Sequence, residues 1–434
     1  MRHLFLFIVI LFSGLACASQ ETRKPAAEPE KTPPVTYQPD SDIQRFLDTH
    51  DPEEEKQILA TLRKSGVDHD TVKGYLKKAA RGTGGPPGLH LSQPVKHLGK
   101  ELAYARYVPT PGPPEELLPM IVILHGMGGS GDSTCQRWRE RLNDEFVILC
   151  PSYPMGAWWT LSSEELILQL ILETRSRYPV DPNRIFLAGL SNGALGAFMI
   201  GSFYPDYFAG LVAIAGAVTE PHYLHFLVNL GNTPVYSIQG EFDPIFPIQH
   251  SRRIHQILTD TRCPVVYREH REKGMGHGGH FLPESEIPGL LNWLTTQKRE
   301  SYSPTVRMVR EANHLDRIQW ARVTRGFKMA ALQIPGPLPE TMNVRDGKPA
   351  TLIAVHKEEN LFEITGKNLL EMELYLSADR VDFDREIMVT FQELKEYQGK
   401  FVAGQKLVKF HGKAEKDLGI LLREFKRRRD PDQL

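Results

Sequence analysis

Short apolar runs separated by longer amphipathic stretches fill the middle of the chain. The clearest runs lie at residues 121–124, 146–149, 185–188, 211–215 and 235–238, and stretches with helical spacing, such as residues 164–178, lie between them. Uninterrupted apolar runs of this length are typical of strands buried on both faces, and their alternation with helices indicates βαβ units. The pattern predicts an α/β domain over residues 90–298, with a mostly parallel sheet and helices on both of its faces.

The pattern changes on either side of this domain. Between residues 41 and 85, apolar positions recur at helical spacing, which indicates a small segment of two or three short amphipathic helices. Beyond Pro304, short segments alternate apolar and polar residues with a period of two and are separated by turn residues. This alternation favours an antiparallel β-rich accessory domain over residues 304–434, which we interpret as a small sandwich.

The first forty residues have a different composition. Residues 1–18 resemble an export signal, with Arg2 before an apolar run and small residues before a cleavage point after Ala18. Alternatively, Cys17 is a lipid-modified first residue and anchors the protein to a membrane. Residues 19–40 are rich in Pro, Glu, Lys and Thr and are predicted to be a disordered linker. We therefore expect a protein that is secreted, periplasmic or lipid-anchored outside the cytoplasm.

Charge and cysteine content limit the classes of partner. The chain has 52 basic and 53 acidic residues and a net charge of −1, so it lacks the broad basic footprint of a nucleic-acid-binding protein. The basic run Lys426 to Arg429 is interpreted as a solvated helix end, with a contact to anionic headgroups as the alternative. Once Cys17 is set aside, three cysteines remain, so at most one bridge can form and we predict no disulfide framework.

The most informative short motif is Gly189-Leu-Ser191-Asn-Gly193, which follows an apolar run and opens a stretch rich in small residues. Between a strand and a helix, G-x-S-x-G makes a turn so sharp that the serine adopts a strained backbone conformation, and the glycines prevent collisions. The motif predicts a nucleophilic Ser191 whose Oγ stands exposed at the carboxyl edge of the sheet. An ordinary strand-to-helix turn is the alternative.

A serine nucleophile needs an imidazole base and a carboxylate that orients it. Asp243 lies just after the apolar run at 235–238, with Glu241 as its near competitor. His277 lies in a glycine-rich segment after the following strand, and we predict that it is the base. His280 is so close that spacing does not exclude it, whereas His270 is interpreted as a structural strand residue. The chain order of serine, aspartate and histidine is that of α/β-hydrolases.

A glycine-rich loop follows the run at 121–124 and reads His125-Gly-Met-Gly-Gly-Ser-Gly131. Acyl transfer creates an oxyanion, which backbone N–H groups stabilise when they point at its position. We assign these donors to the amides of Met127 and Asn192, with Gly126 as the alternative upstream donor. The loop lacks the Gly-Lys-Ser/Thr ending of a phosphate-binding loop.

The predicted substrate pocket uses aromatic side chains near this loop. Trp158 and Trp159 follow the run at 146–149, at a strand's carboxyl end. That edge is where ligands bind in open α/β sheets. We predict that both tryptophans line the pocket together with His125, with simple packing as the alternative for the tryptophans.

Three segments together resemble the α/β-hydrolase superfamily: His125-Gly-Met-Gly-Gly-Ser-Gly, Gly189-Leu-Ser-Asn-Gly and Gly274-Met-Gly-His277. Within it they are most similar to secreted esterases of the polyhydroxybutyrate depolymerase, feruloyl esterase and phospholipase/carboxylesterase group. The resemblance covers about residues 95–298. It implies the α/β-hydrolase fold, a triad of Ser191, Asp243 and His277, and hydrolysis of a small-molecule or polymer-attached carboxylic ester.

We therefore expect two-step ester hydrolysis through an acyl-enzyme, without a cofactor. No metal site is predicted, because thiolates are missing near the histidines and no H-E-x-x-H helix occurs. Two different functions remain open. One is a peptidase similar to prolyl oligopeptidase, and the other is a non-catalytic binding protein that has kept only the fold.

Overall fold

The computed structural model describes residues 38–433 except for residues 83, 111, 114–115, 275–276, 315, 334–342, 346 and 398–399. The predicted export signal at 1–18, including Cys17, and nearly all of the predicted linker at 19–40 lie outside the described residues. From Pro39 onward the chain forms one compact unit.

The helices precede, interleave with and follow a central sheet. They are α1 (Asp40–Asp48), α2 (Pro52–Ser65), α3 (His69–Ala79), α4 (Gly131–Arg141), α5 (Leu161–Arg177), α6 (Asn192–Phe203), α7 (Pro221–Leu224), α8 (Ile248–Asp260), α9 (Ile287–Thr296) and α10 (Leu418–Arg428). Several begin at a side-chain cap, as where Asp51 accepts a hydrogen bond from the Glu53 amide and Pro52 opens α2. Among the described helices, none is both long enough and apolar enough to cross a bilayer.

Eight strands form the central sheet. They are β1 (Gly88–His97), β2 (Lys100–Val108), β3 (Leu118–Leu124), β4 (Val147–Pro151), β5 (Val180–Leu190), β6 (Gly210–Ile214), β7 (Val235–Gly240) and β8 (Val265–His270). Their spatial order is β1-β2-β4-β3-β5-β6-β7-β8. Only the β1–β2 and β2–β4 pairs are antiparallel, so the predicted mostly parallel sheet is confirmed.

Both faces of this sheet are covered by helices. Along β3, Met120, Val122 and Leu124 pack with α5, α6 and α8, whereas Ile121 and Ile123 pack with α4 and α9 on the opposite face. Successive strand residues point to opposite faces, so a strand covered on both sides must be apolar throughout. Each fully buried aliphatic side chain contributes roughly 1.5–3 kcal/mol. The two-sided burial explains the uninterrupted apolar runs of the sequence.

The following strands form the predicted β-rich module. They are β9 (Thr305–Arg310), β10 (Arg317–Ile318), β11 (Ala321–Arg325), β12 (Ala331–Gln333), β13 (Asn343–Arg345), β14 (Ala350–Glu358), β15 (Leu361–Lys367), β16 (Glu371–Leu374), β17 (Ile387–Tyr397) and β18 (Lys400–Gly412). They build a five-stranded sheet in the order β18-β17-β15-β14-β9, a three-stranded sheet β10-β11-β16 and the pair β12–β13. One pair departs from the antiparallel expectation: β15 and β17 are parallel, because β16 leaves for the smaller sheet before the chain returns.

The last helix leaves the β module and joins the first three helices. Leu418, Leu422 and Phe425 of α10 form one buried cluster with apolar residues of α1, α2 and α3. The interpretation of the adjacent basic run as a solvated helix end is wrong. Lys426 donates to the Thr49 carbonyl, and Arg428 is only 6% exposed. The run therefore fixes the end of the chain to the rest of the protein.

Candidate active site

The turn between β5 and α6 is strained at its serine. Ser191 has φ 60° and ψ −123°, a conformation that costs a non-glycine residue free energy. A Cβ on Gly189 would lie 2.1 Å from the Gly193 carbonyl carbon, and a Cβ on Gly193 would lie 2.1 Å from the Leu124 carbonyl oxygen. Glycine is therefore required at both positions by close packing. Ser191 is 8% exposed, less open than the freely exposed position that the motif predicted.

Asp243 lies three residues beyond the end of β7, and both of its carboxylate oxygens are occupied. Oδ2 accepts hydrogen bonds from His280 Nδ1 and from Gln239 Nε2, each at 2.9 Å. Oδ1 accepts from the amides of Ile245 at 2.8 Å and Phe246 at 2.9 Å. Burial raises the pKa of Asp243, but these donors outweigh it and the pKa is lowered overall. The carboxylate therefore stays ionised at neutral pH.

His280 is held so that its second ring nitrogen is available. Because an ionised carboxylate only accepts, Nδ1 must carry the proton in its bond to Asp243, which leaves the Nε2 lone pair of the neutral ring free. The ring lies parallel to Phe246, with centroids 6.0 Å apart. Before it, Gly278 has φ +55°, and a Cβ on Gly279 would lie 2.9 Å from the Gly240 Cα. The two glycines thus bring the chain against the end of β7.

The structure places His280, not His277, against Asp243, so the predicted pairing of His277 with Asp243 is wrong. His277 is exposed, and its carbonyl accepts the His280 amide at 3.0 Å. The chain turns closely at Gly278 and Gly279, after His277, and the next side chain, that of His280, is the one that reaches Asp243. His270 and Glu241 are engaged elsewhere, because His270 is buried against Phe281 and Glu241 pairs with Arg271 at 2.6 Å.

The elements that carry these groups end at one edge of the sheet. The register pairs Leu190 of β5 with Ile214 of β6 and then Ile214 with Ile238 of β7. Gly240 pairs with His270 at the end of β8. The serine turn, the aspartate loop and the histidine loop therefore all begin at the carboxyl ends of parallel strands. This edge is where open α/β sheets place their ligands.

The glycine-rich loop after β3 lies against the serine. A Cβ on Gly126 would lie 3.1 Å from Ser191 Cβ and 3.7 Å from Ser191 Oγ. The Gly129 amide donates to the Gly126 carbonyl at 3.1 Å, and Gly128 has the positive φ of +73° that this turn requires. The Asn192 amide opens α6, where an amide has no acceptor within its own helix. Asn192 directly follows the serine, Gly126 lies against it, and Met127 is the next residue of the same loop. Their role as oxyanion donors stays a prediction.

His125 holds this loop from behind. Its Nδ1 donates to the Gly126 carbonyl at 2.7 Å, and its Nε2 accepts the Tyr153 amide at 3.1 Å. Burial lowers the pKa of His125, and the contact with the Gly126 carbonyl opposes this only in part. His125 is 4% exposed, and the backbone occupies both of its ring nitrogens, so it has no hydrogen-bonding capacity left for a ligand. The prediction that His125 lines the substrate pocket is therefore wrong.

The two tryptophans are core residues rather than pocket residues. Trp158 is fully buried, and its Nε1 donates to the His125 carbonyl at 2.7 Å. Its ring also meets the His125 ring edge-on at 5.0 Å. Trp159 is 3% exposed and belongs to the same apolar cluster. Simple packing therefore describes both side chains.

Sequence reasoning missed two features of this edge. The first is Gln239, a fully buried β7 residue whose Nε2 donates to the Asp243 carboxylate. The second is a set of exposed apolar side chains on the loops after β3, β4 and β7, namely Met127 (60% exposed), Met155 (52%), Phe242 (44%) and Ile245 (55%). Apolar residues just after a strand were readable in the sequence, but their exposure was not. Within the described part of the chain, no three His, Cys, Asp or Glu side chains are grouped to hold a metal ion.

The chain is similar to several known proteins over part of its length. Residues 160–296 match the family described as Phospholipase/Carboxylesterase. Acyl-protein thioesterase 1 of Yarrowia lipolytica (strain CLIB 122 / E 150) is 24% identical over 212 residues, which cover 42% of this chain and 92% of that protein. NocK of Nocardia uniformis subsp. tsuyamanensis, a protein assigned as an esterase, is 25% identical over 262 residues, which cover 57% of this chain.

The matched region spans 65% of NocK, slightly less than two thirds of its length. A solved structure described as a thermostable esterase is 24% identical, covers 48% of this chain and 63% of its own, and has a TM-score of 0.41. The sheet order and the strained serine turn are those of an α/β-hydrolase fold, and residues 160–296 within it are similar to the Phospholipase/Carboxylesterase family. The β module and α10 lie outside the family match.

Proposed function

We propose that this protein is a carboxylic-ester hydrolase in which Ser191 is the nucleophile, His280 the general base and Asp243 the carboxylate that orients the base. The observation that carries the proposal is the 2.9 Å bond from His280 Nδ1 to Asp243 Oδ2 at the sheet edge that holds the strained serine. The Phospholipase/Carboxylesterase match over residues 160–296 supports the same reaction class.

The reaction proceeds in two steps. His280 Nε2 accepts the Ser191 hydroxyl proton as Oγ attacks the ester carbonyl carbon, and the tetrahedral oxyanion forms. The same nitrogen then protonates the leaving alkoxide, so that the alcohol departs and an acyl-serine remains. Water attacks this acyl group and gives a proton to Nε2, which returns a proton to Oγ as the carboxylic acid leaves.

The amides of Met127 and Asn192 stabilise the oxyanion in both steps, with Gly126 as the alternative upstream donor. One such donor contributes about 2.7–4 kcal/mol to transition-state stabilisation. His125 positions the loop, because it fixes the Gly126 carbonyl on one side and the Tyr153 amide on the other. No step of this mechanism uses a cofactor.

Exposed apolar side chains at the same edge of the sheet support an ester with an apolar part. Met127, Met155, Phe242 and Ile245 are each at least 44% exposed and follow strands that end at this edge. Transfer of apolar surface from water onto such side chains is favourable by roughly 25 cal/mol per Å². We propose that the acyl or alcohol group of the substrate lies against them.

A fluorophosphonate probe tests the proposal. It should label the wild-type protein at Ser191 and leave Ser191→Ala unlabelled, because the probe reacts only with an activated serine. Nitrophenyl esters and proline-containing peptide amides offered side by side then identify the substrate class. Turnover of the amides alone would favour a peptidase, and an unlabelled wild type would favour a non-catalytic binding protein.

We also propose that the protein is exported, on the basis of residues 1–18. Mass spectrometry of the mature N-terminus distinguishes the outcomes. A chain that begins at Ser19 indicates cleavage after Ala18, and a lipid-modified Cys17 indicates an anchored form. An intact Met1 in the native host would contradict export through this segment.

Gln239 is expected to weaken the interaction of Asp243 with the His280 imidazolium. Its Nε2 donates to Asp243 Oδ2 and to the Phe246 carbonyl, and its Oε1 accepts from Ser251 Oγ at 3.0 Å. In Gln239→Leu, Asp243 loses one donor and binds the His280 imidazolium more strongly. The acid limb of the pH profile of kcat/KM should therefore move up by about one unit, given roughly 1.5–3 kcal/mol for a hydrogen bond to a charged group.

Ser251→Ala is the matched control, because it removes the hydrogen bond that Ser251 donates to Gln239 but keeps the Gln239 amide donor to the Asp243 carboxylate. Its pH profile should move less than that of Gln239→Leu. A loss of activity in Gln239→Leu with an unmoved acid limb would mean that Gln239 only supports the fold.

A further inference from the structure

The edge of the larger sheet in the β module is unusual in its exposed side chains. Within the described part of the chain, β18 pairs with β17 alone, and no described strand covers its other side. Val402 is 44% exposed, Leu407 54%, Val408 45% and Phe410 54%. Soluble proteins normally keep such an edge short, charged or covered. We call residues Lys400–Gly412 the β18 edge.

Apolar side chains project from both faces of this edge. Val408 pairs with Phe391 and Phe410 pairs with Val389, so Val408 and Phe410 extend the face on which those two β17 residues pack. Leu407 is one residue away from Val408 and therefore lies on the opposite face. When apolar side chains project from both faces of a sheet edge, the edge can insert into a lipid layer. A single flat apolar face is better suited to packing on the flat surface of another protein.

The same edge is basic. Lys400, Lys406 and Lys409 lie on it, Lys413 follows directly, and Asp and Glu are absent from residues 397–414. None of the four lysines forms an ion pair with a described residue. Lysines beside exposed aliphatic and aromatic side chains match the chemistry of an interface with anionic lipid headgroups.

Another strand is a poor occupant of the edge. Between Gln392 and Leu394 on β17, the register on β18 moves from Leu407 to Ala403, so β18 carries a bulge. A bulge interrupts the regular row of backbone groups that an added strand needs. In an antiparallel pairing with a second copy, each lysine-bearing edge would also face the lysines of the other. A lipid bilayer, by contrast, binds side chains and needs no regular row of backbone groups.

We propose that the β18 edge is a binding surface for bilayers that contain anionic lipids. The lysines contact headgroup phosphates, while Val402, Leu407, Val408 and Phe410 enter the boundary between headgroups and acyl chains. The sheet meets the membrane with its edge, so that side chains of both faces contribute. The proposal is independent of the ester hydrolase activity, since β18 lies outside the α/β-hydrolase domain.

Vesicle flotation of the full chain tests this surface. The wild-type protein should bind vesicles of equal parts phosphatidylcholine and phosphatidylglycerol more strongly than vesicles of phosphatidylcholine alone. The double variant Lys406→Gln/Lys409→Gln should lower the partition coefficient for the anionic vesicles about fivefold per lysine. Val408→Ser/Phe410→Ser should lower binding to both kinds of vesicle.

Matched controls separate this edge from general charge and from the N-terminal segment. Lys64→Gln/Lys100→Gln removes the same charge from two exposed lysines outside the β module and should leave the partition coefficient unchanged. All variants carry the same N-terminal segment as the wild type, so any contribution of that segment is common to them. Turnover of a soluble nitrophenyl ester and the thermal unfolding midpoint should match those of the wild type, which shows that the variants fold.

Several results would overturn the proposal. Equal binding of the wild type to neutral and anionic vesicles would mean that the lysines play no role. If Lys64→Gln/Lys100→Gln lowered the partition coefficient as much as Lys406→Gln/Lys409→Gln, the effect would depend on net charge and not on the β18 edge. No binding to either vesicle would reject a lipid surface. A dimer of the wild type that Val408→Ser/Phe410→Ser dissociates would assign the edge to a second copy instead.

Discussion

His280→Ala is expected to lower kcat by about 10⁴-fold or more, whereas His277→Ala should leave kcat within about twofold of the wild type. The reason is geometric: of these two histidines, His280 is the one that bonds to Asp243, at 2.9 Å, while His277 is exposed. Without this ring the serine proton has no acceptor, and what remains is substrate binding and oxyanion stabilisation. Steady-state hydrolysis of a nitrophenyl ester measures both variants.

Asp243→Asn provides an independent check on the same arrangement. An amide at this position no longer stabilises the imidazolium and favours the wrong ring tautomer, so kcat should fall by about 10⁴-fold. Substrate binding should change little, because Asp243 is 6% exposed and its oxygens bond to the protein. Were His277→Ala to lose as much activity as Asp243→Asn, the roles given to the two histidines would have to be exchanged.

The sheet and the serine turn were predictable because local patterns determine them. A strand segment buried on both faces must be apolar throughout, and β3 and the second half of β5, from Ile185 to Leu190, carry this pattern. The turn at Ser191 admits only small neighbours, and both of its flanking glycines are confirmed as steric requirements. In each case the constraint acts within a few residues of the chain.

The choice between two histidines depended on a conformation that spacing does not encode. The positive φ of Gly278 and the contact of Gly279 with Gly240 place His280, rather than a residue three positions earlier, at the carboxylate. The paired glycines directly before His280 were a usable signal, since a close approach to another backbone favours glycine. Loop side chains such as Trp158 posed a similar difficulty, because their burial depends on helix α6 packing over them.

Contacts between distant parts of the chain were the least accessible to sequence reasoning. The last helix packs with helices that precede the sheet, and a basic run that resembles a solvated end is instead part of a buried network. A local sequence pattern does not predict which segment, hundreds of residues away, a helix will pack against. The network has measurable consequences for stability, because its charges are removed from water.

Four arginines and two aspartates form this buried network. Arg428 Nη1 donates to Asp206 Oδ2 at 2.6 Å, and Arg299 Nη1 donates to Asp430 Oδ2 at 2.6 Å. Arg175 donates to the carbonyls of residues 428 and 429 at 2.8 and 2.6 Å, and Arg317 is also buried. Because Asp206 follows α6, the helix that begins beside Ser191, the network connects the end of the chain to the serine's own helix.

Arg428→Met is expected to lower the free energy of unfolding by about 3–5 kcal/mol, because it leaves Asp206 buried without its cation. Burial raises the pKa of Asp206, but the charge and hydrogen bond of Arg428, the Gln319 amide and the charge of Arg317 together outweigh it, so the pKa is lowered in the wild type. This contribution to stability is present above the unfolded pKa of about 3.9 and is lost as the pH falls through the lower folded pKa. Urea unfolding at pH 7 and under acid conditions measures the difference.

The deficit of the variant should therefore shrink as the pH falls, since protonation of Asp206 relieves its unpaired charge. Arg427→Met is the matched control: Arg427 is 39% exposed in its pairs with Asp316 and Glu424, and its loss should cost less than about 1 kcal/mol. Adding Asp206→Asn to Arg428→Met should restore part of the stability, because it removes the unpaired negative charge of Asp206. The amide oxygen of the new side chain can still accept the hydrogen bond from the Gln319 amide. A deficit that is independent of pH, or a double variant less stable than Arg428→Met alone, would mean that Arg428 stabilises the fold through packing and not through its charge.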